Sequence, residues 1–368
     1  MLLFTCTFDY TDSILINPVG WTIIRTNTIY VDRLGEHMDN RIEIAKKFIQ
    51  EQIRKRDDII GAIVTGSVSR GEEVESSDLD MLIIVSGNDE GHQQDGVDTW
   101  KGGVYIDAKL VLGGDFANIE EILQNPFRAT QINDGLIFYD PTGIFSQMQK
   151  EVRRNFMEPK WVRMRIQFWL QSARKHMSGL QESVELIDPL GICEHVAGIL
   201  WAFTSVPLLR LGITPGNTST LVRLGKTSDE LKERICEWEG SSKMNVNDIL
   251  GFLSLILEGV TFMDSSRWGN LPKEHVVNKI KWMANNDLPR EAFHVLWIGM
   301  GVYAQEWRKS EDAWIRSKGS GLTQRWLESI GWDEKVILKE KIIVAEAILK
   351  EIEGLADNLT SEASSTSM

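Results

Sequence analysis

Cysteine is nearly missing from this chain. Cys6, Cys193 and Cys236 are the three present. An odd number without zinc-type spacing excludes a disulfide framework and a thiolate metal site, and fits buried free thiols in a reducing compartment. Histidine is as sparse: six residues lie scattered, with no HExxH or paired cluster, so a histidine-ligated metal has no support. Long apolar runs are missing too. The best candidate, PLGICEHVAGILWAFTSVPLLRLG, is interrupted by Glu194 and His195, short of the ~18 uninterrupted apolar residues a span calls for, so no membrane partner is expected. A basic excess is also lacking, the net charge being -13 at pH 7. That balance speaks against nucleic acid as a partner. It suits a cationic substrate, although acidity is also the ordinary state of a cytosolic enzyme. The N-terminal MLLFTCTFDYTDS has no basic n-region and meets Asp9 early, so it does not read as a signal peptide and a cytoplasmic location is expected.

What the chain does have is 368 residues, 42% of them hydrophobic, enough for two domains with substantial cores. Just before Met38, LGEHM back-translates to a purine-rich GGNGA stretch ahead of an ATG, the form of a ribosome-binding site. Residues 1–37 therefore read either as an extension without a fold of its own or, from the β character of WTIIRTNTIYV, as an N-terminal strand pair. In RIEIAKKFIQEQIRKR, residues Ile42, Ala45, Phe48, Ile49 and Ile53 share one helical face, and Asn40 with Glu43 resembles a capping box. IIGAIVTG reads as a buried strand ended by Gly66, SVSRGEE as a short helix and DMLIIV as a second strand. Residues 86–103 are a polar turn region, and VYIDAKLVL is a third strand. Residues 115–125 read as helix, GLIFYD as a fourth strand and GIFSQMQKEVRR as a closing helix. Residues 38–155 are thus expected to form an α+β unit around a mixed sheet.

Beyond residue 160 the strand signal disappears and helical periodicity takes over: 161–178, 189–211, 228–239, 245–263, 273–285, 290–310, 321–329 and 333–356. The expectation is an all-α bundle over residues 156–358 with a disordered tail at 359–368. Eleven of the thirteen tryptophans lie in this half. They read as bundle packing rather than as an aromatic wall for substrate, and the same face could serve a second copy in a homodimer.

The chemistry concentrates in GSVSRGEEVESSDLDMLII, residues 66–84. Asp78 and Asp80 stand at i and i+2 at the head of a strand, which puts both carboxylates on one face, roughly 6–7 Å apart along the chain. Asp107 lies in the next long strand. If the two strands pair, three carboxylates face one place, and without histidine such a set calls for a hard cation, Mg²⁺ first. Gly66 permits a tight turn and close approach of a ligand. Ser67 adds a hydroxyl and outward amides suited to a phosphate. Arg70 could pair with a triphosphate or, as scaffolding, with Glu73 or Glu75. Ser77 precedes the aspartates and could hold the loop.

The pattern G-S-x2-R-G-x5-S-D-x-D followed by a strand aspartate resembles the polymerase-β-type nucleotidyltransferase superfamily, in the spacing of its small bacterial aminoglycoside and minimal members. The resemblance covers roughly residues 41–155. It implies a mixed sheet with flanking helices followed by a helical domain, a donor such as ATP held by Gly66 and Ser67, and two Mg²⁺ ions on Asp78, Asp80 and Asp107. It implies transfer of AMP or another NMP to a hydroxyl of a small acceptor, an aminoglycoside-like antibiotic being the first guess. Adenylylation of a protein, as antitoxin-type modules do, is the alternative acceptor, and a non-catalytic nucleotide-binding protein the alternative class. RNA tailing fits the acidic composition poorly. In the helical half, Glu194 is a candidate base because it is charged within an apolar helix, while His195 reads as a core histidine. Arg163 and Arg165 could reach the triphosphate or could simply be solvated.

Overall fold

The computed structural model describes residues 31–87, 97–216, 219–262, 267–268 and 271–365. The two readings of residues 1–37 fall almost wholly outside this range. Helix α1, Val31–Lys55, begins upstream of Met38, since VDRLGEH contains no helix breaker stronger than one glycine.

The first unit mixes strands and helices: β1 Ile59–Val64, α2 Gly66–Ser69, β2 Leu79–Val85, β3 Thr99–Lys101, β4 Val104–Leu112, α3 Ile119–Gln124, α4 Pro126–Asp134, β5 Leu136–Tyr139 and α5 Ile144–Asn155. The short strand β3 falls inside the segment expected as a polar turn, and α4 was not foreseen. Asn125 caps α4 by accepting from Phe127 N and Arg128 N, and Pro126 stands in its first turn, so its start follows ordinary capping chemistry. The strands order β3-β4-β2-β1-β5 in one sheet. β1 runs antiparallel to β2 and β5, whereas β2 and β4 run parallel.

Both faces of this sheet are covered, which is why its central strands are apolar on alternate and intervening positions alike. On one face Ala45, Phe48 and Ile49 of α1 join Met81, Ile83, Ile106 and Ala108 in a core. On the other, Ile63, Leu82 and Ile84 pack with Ile122, Ile132, Phe145 and Val152 of α3, α4 and α5. Fully burying each such side chain stabilises the fold by about 1.5–3 kcal/mol. By alternation, Asp80 shares the second face with Leu82 and Ile84, and Asp107 lies on that same side.

The second unit is helical: α6 Pro159–Leu186, α7 Pro189–Arg210, α8 Thr220–Thr227, α9 Asp229–Glu239, α10 Val246–Phe262, α11 Lys273–Asn285, α12 Pro289–Lys309, α13 Ala313–Ser329 and α14 Lys335–Ser365. A small ribbon, β6 Arg267–Trp268 with β7 Leu271–Pro272, interrupts it before α11. The chain from 359 on was expected as a disordered tail, yet α14 runs through to Ser365, in keeping with the leucine, alanine and glutamate of LADNLTSEASS. Among the described residues α7 is the one helix long and apolar enough to cross a membrane, and most of it is buried inside the bundle. It is apolar all round because α6, α8, α12, α13 and α14 pack about it. Trp238, Trp297, Trp307, Trp326 and Trp332 are fully buried, so these tryptophans form core, as expected.

Arg165 pins α6 to the first unit. It is completely buried, donates to the Leu123 carbonyl at 2.7 Å and to the Phe156 carbonyl, and lies 4.4 Å over the Phe156 ring. Burial pushes its pKa down to about 10. It is therefore neither a triphosphate ligand nor a solvated charge. Arg163, two residues earlier, is exposed. Replacing Arg165 with alanine orphans two carbonyls and opens a cavity, so Arg165→Ala is expected to lower unfolding free energy by about 3 kcal/mol or more. Arg163→Ala should stay within about 0.5 kcal/mol. Urea unfolding of both variants checks this contrast.

Candidate active site

The chain leaves β1 at Val64 and turns sharply. Thr65 N donates to Asp80 O at 2.9 Å, which ties the turn to the head of β2. Gly66 has φ of 74°, and a Cβ there would collide with the Asp80 carboxylate. Position 66 thus needs glycine both for its backbone conformation and for the acid group lying against it. Ser67 follows, its carbonyl accepting from Arg70 N at 3.2 Å and Glu72 N at 3.0 Å. Val68 is buried in the α1 core and anchors the turn.

Residues 70–78 form the loop that delivers Asp78. Ser77 behaves as expected, its Oγ accepting from Val74 N at 2.9 Å. The main support is Arg41, on α1. Its buried guanidinium donates to the carbonyls of Val74 (2.9 Å), Glu75 (2.9 Å) and Ser77 (3.3 Å). Burial lowers the Arg41 pKa, opposed by the charges of Glu73, Asp78 and Glu75. Glu73 is 1% exposed, so it supplies counter-charge from inside the loop. Nothing in the linear sequence marks Arg41, because its partners lie more than thirty positions away.

Strands β2 and β4 set the acidic centre. Asp80 stands opposite Asp107 in their parallel register, and neighbouring strands lie about 4.8 Å apart. Asp78 stands in the loop just ahead of β2, close enough for its charge to act on both Asp80 and Asp107. Burial and the charges of Asp78 and Asp107 push Asp80 up to about 7, against the opposing pull of Lys279 and Lys109. Asp107 is also raised, chiefly by burial, with Asp98 and Asp78 adding to it; Lys109, 3.6 Å away, opposes the rise. Asp78 goes the other way. Burial alone would raise it, but the Lys279 ammonium and His275 hold it well below the usual carboxylate range.

Among the described residues no hydrogen bond or ion pair reaches the Asp80 side chain, and its raised proton affinity comes first from burial and then from the neighbouring carboxylates, which outweigh Lys279 and Lys109. A carboxylate pair of this kind fits a hard cation with oxygen ligands, such as Mg²⁺. Asp78 is engaged differently. Lys279 Nζ lies 3.3 Å from its Oδ1 and His275 Nε2 lies 3.3 Å from its Oδ2. Accordingly, among the described residues no three acidic, histidine or cysteine groups converge closely enough to hold a metal ion. Of the expected trio, two members stand side by side on the sheet and the third, in the loop ahead of β2, is turned to α11. His275 and Lys279 carry no motif; their part is visible only once α11 is folded over the sheet.

Arg70 does not pair with Glu73 or Glu75. Its Nε donates to Glu72 at 2.9 Å, and its guanidinium lies 3.8 Å from Asp134. Glu72 also accepts from Arg223, and Arg223 donates to the Thr214 carbonyl, so this network joins the loop to α8. Two cavities flank Asp78. One, of about 270 Å³, is lined by Trp100, Tyr105, His275, Trp282 and Glu75. The other, of about 180 Å³, is lined by Arg223, Lys226, Lys279, Glu72 and Trp282. Glu194 is not brought to either. It accepts from Gln305 at 3.2 Å and pairs with Arg308 at 3.2 Å inside the helical unit, while His195 Nδ1 meets His176 Nδ1 at 3.1 Å. Glu194 is therefore a structural anion of the bundle, and no base for this site.

Residues 45–139 match the family model described as nucleotidyltransferase domain. Among solved structures the chain resembles a nucleotidyltransferase-like protein from Exiguobacterium sibiricum 255-15, with 11% identity and a TM-score of 0.34 over 81% of this chain and 91% of that one. No curated protein matches the chain.

The electrostatics of Asp80 give a test that needs no substrate. Its folded-state pKa lies above the usual 3.8. Its favourable share of stability is therefore fully present below that value and is lost as pH rises through about 7. Asp80→Asn removes the resulting penalty. The melting temperature of the variant should exceed that of the wild type by more at pH 8 than at pH 5, a difference on the order of 2 °C. Equal gains at both pH values would show that Asp80 is not held in an acidic cluster.

Proposed function

We propose that this chain, whose residues 45–139 match the nucleotidyltransferase-domain family model, acts as a nucleotidyltransferase of the polymerase-β type and moves a nucleoside monophosphate, AMP first, from a nucleoside triphosphate to a hydroxyl of a small acceptor. The observation that carries the reading is the register of Asp80 against Asp107, with Gly66 packed directly on the Asp80 carboxylate. This juxtaposes a turn open to phosphate with a pair of acids suited to a divalent cation.

Asp80 and Asp107, joined by Asp78, would hold Mg²⁺, with two ions expected. When bound, Mg²⁺ supplies charge neutralisation for the triphosphate and for the departing pyrophosphate. The protein's own groups account for the rest. The Gly66–Ser67 turn lets backbone and hydroxyl approach phosphate oxygens closely. Arg223 and Lys226 line the basic cavity and favour the same anion. Asp107, its pKa raised chiefly by burial, is the residue suited to take the proton from the acceptor hydroxyl. The acceptor oxygen forms its bond to the α-phosphorus as the bond to the bridging oxygen breaks, and pyrophosphate leaves. The second cavity, walled by Trp100, Tyr105 and Trp282 with Glu75 present, suits a ring-bearing acceptor with cationic character. An aminoglycoside-like antibiotic is the first class to try, in keeping with the charge of -13.

Purified protein with Mg²⁺, each α-labelled nucleoside triphosphate in turn and a panel of hydroxyl-bearing antibiotics tests the proposal. Label should appear on an acceptor with matching pyrophosphate release, and Asp80→Asn should lower turnover at least about a hundredfold. Absence of both label transfer and pyrophosphate release across the panel, or an unimpaired Asp80→Asn, would overturn it.

A further inference from the structure

We propose that His275 and Lys279 form a clasp that competes with the divalent cation for Asp78, so that the two units must part at α11 before all three carboxylates can serve the metal–nucleotide complex. The inference rests on Asp78 being a ligand of that complex, as proposed above.

Four observations support it. First, one helix faces both oxygens of Asp78: Lys279 Nζ donates to Oδ1 at 3.3 Å, and His275 Nε2 lies 3.3 Å from Oδ2 without completing a hydrogen bond. His275 and Lys279 are one turn apart on α11, hence on the same face. Second, the partners lie some two hundred positions apart in sequence, one beside β2 and the other on α11, so the contact is a bridge between units and not a local ion pair. Third, α11 is seated by more than charge. The His275 ring packs 5.2 Å from Tyr105 and 6.3 Å from Trp100, and Tyr105 stands two residues before Asp107 on β4. Fourth, the bridge divides space. The cavities of about 270 and 180 Å³ both reach Ser76, Ser77 and Trp282, and the clasp lies between them. Each is smaller than the roughly 300–1,000 Å³ of an ordinary small-molecule site. On this proposal, release of the clasp would join them into one trough within that range.

The physical logic is substitution of one cation for another. Asp78 is buried, and a buried carboxylate needs a counter-charge. Lys279 supplies it while metal is absent. Lys279 also lines the basic cavity beside Arg223 and Lys226, so an entering triphosphate offers its ammonium another anion and frees Asp78 at the moment a metal arrives with the nucleotide.

Mn²⁺ binding followed by electron paramagnetic resonance tests this without reference to turnover. Lys279→Met should bind Mn²⁺ about tenfold more tightly than wild type. Lys279→Arg, which restores a cation, should return towards the wild-type affinity. Asp80→Asn should weaken binding in every background. X-ray scattering of the metal-free proteins supplies a second readout: Lys279→Met should have the larger radius of gyration. If Lys279→Met and wild type bind Mn²⁺ alike while Asp80→Asn still weakens binding, the clasp is wrong and the metal site stands. If Asp80→Asn leaves Mn²⁺ binding unchanged in all backgrounds, the metal reading beneath both proposals fails.

Discussion

The structure depends on an electrostatic conflict held in place by strand pairing. The parallel register of β2 and β4 sets Asp80 against Asp107, and the turn at Gly66 closes over Asp80 from the third side. Left alone, such groups repel and protonate. The packing that forces them together is ordinary: two apolar strands buried on both faces, with α1 behind and α3 to α5 beside them. The hydrophobic cores thus provide the free energy that keeps an unfavourable charge arrangement in being, a division of labour common where a site must be ready for a charged ligand.

Buried cations then decide where the loops go. Arg41 gathers three carbonyls of the loop that ends in Asp78, and Arg165 gathers two carbonyls where the first unit meets α6. Neither forms a simple ion pair. Each uses the fan of donors on a guanidinium to satisfy backbone oxygens that no helix or strand can reach. Arg223 repeats the device between Glu72 and Thr214. The helical unit accordingly does more than cover the sheet: through α8 and α11 it determines which charges the acidic face meets.

Much of this was legible in the sequence, and the limits have physical causes. The strands β1, β2 and β4, the turn at Gly66 and the acids at 78, 80 and 107 could be placed because each is a local pattern: apolar runs, a glycine, alternation. The bundle helices were readable from their period, and the tryptophans from their company. What escaped was short or distant. β3 has three residues, too few to show a period. α4 is marked by its cap rather than by an apolar stripe. Arg41, Arg223, His275 and Lys279 look like any surface charge on an amphipathic helix, and only tertiary contact reveals what they neutralise. Arg165 and Glu194 were misjudged for the same reason: a charged letter in a helical segment does not say whether it meets a ligand, a carbonyl or another helix.

The order of these parts along the chain has a consequence for biosynthesis. All three carboxylates belong to the part of the protein that leaves the ribosome first, while the ammonium of Lys279 is translated long after β4 is complete. Whenever the sheet unit forms ahead of α11, Asp78 has to find its counter-charge in protons or dissolved cations. The ammonium that Asp78 meets in the finished fold is thus a late arrival, supplied only once α11 has been made.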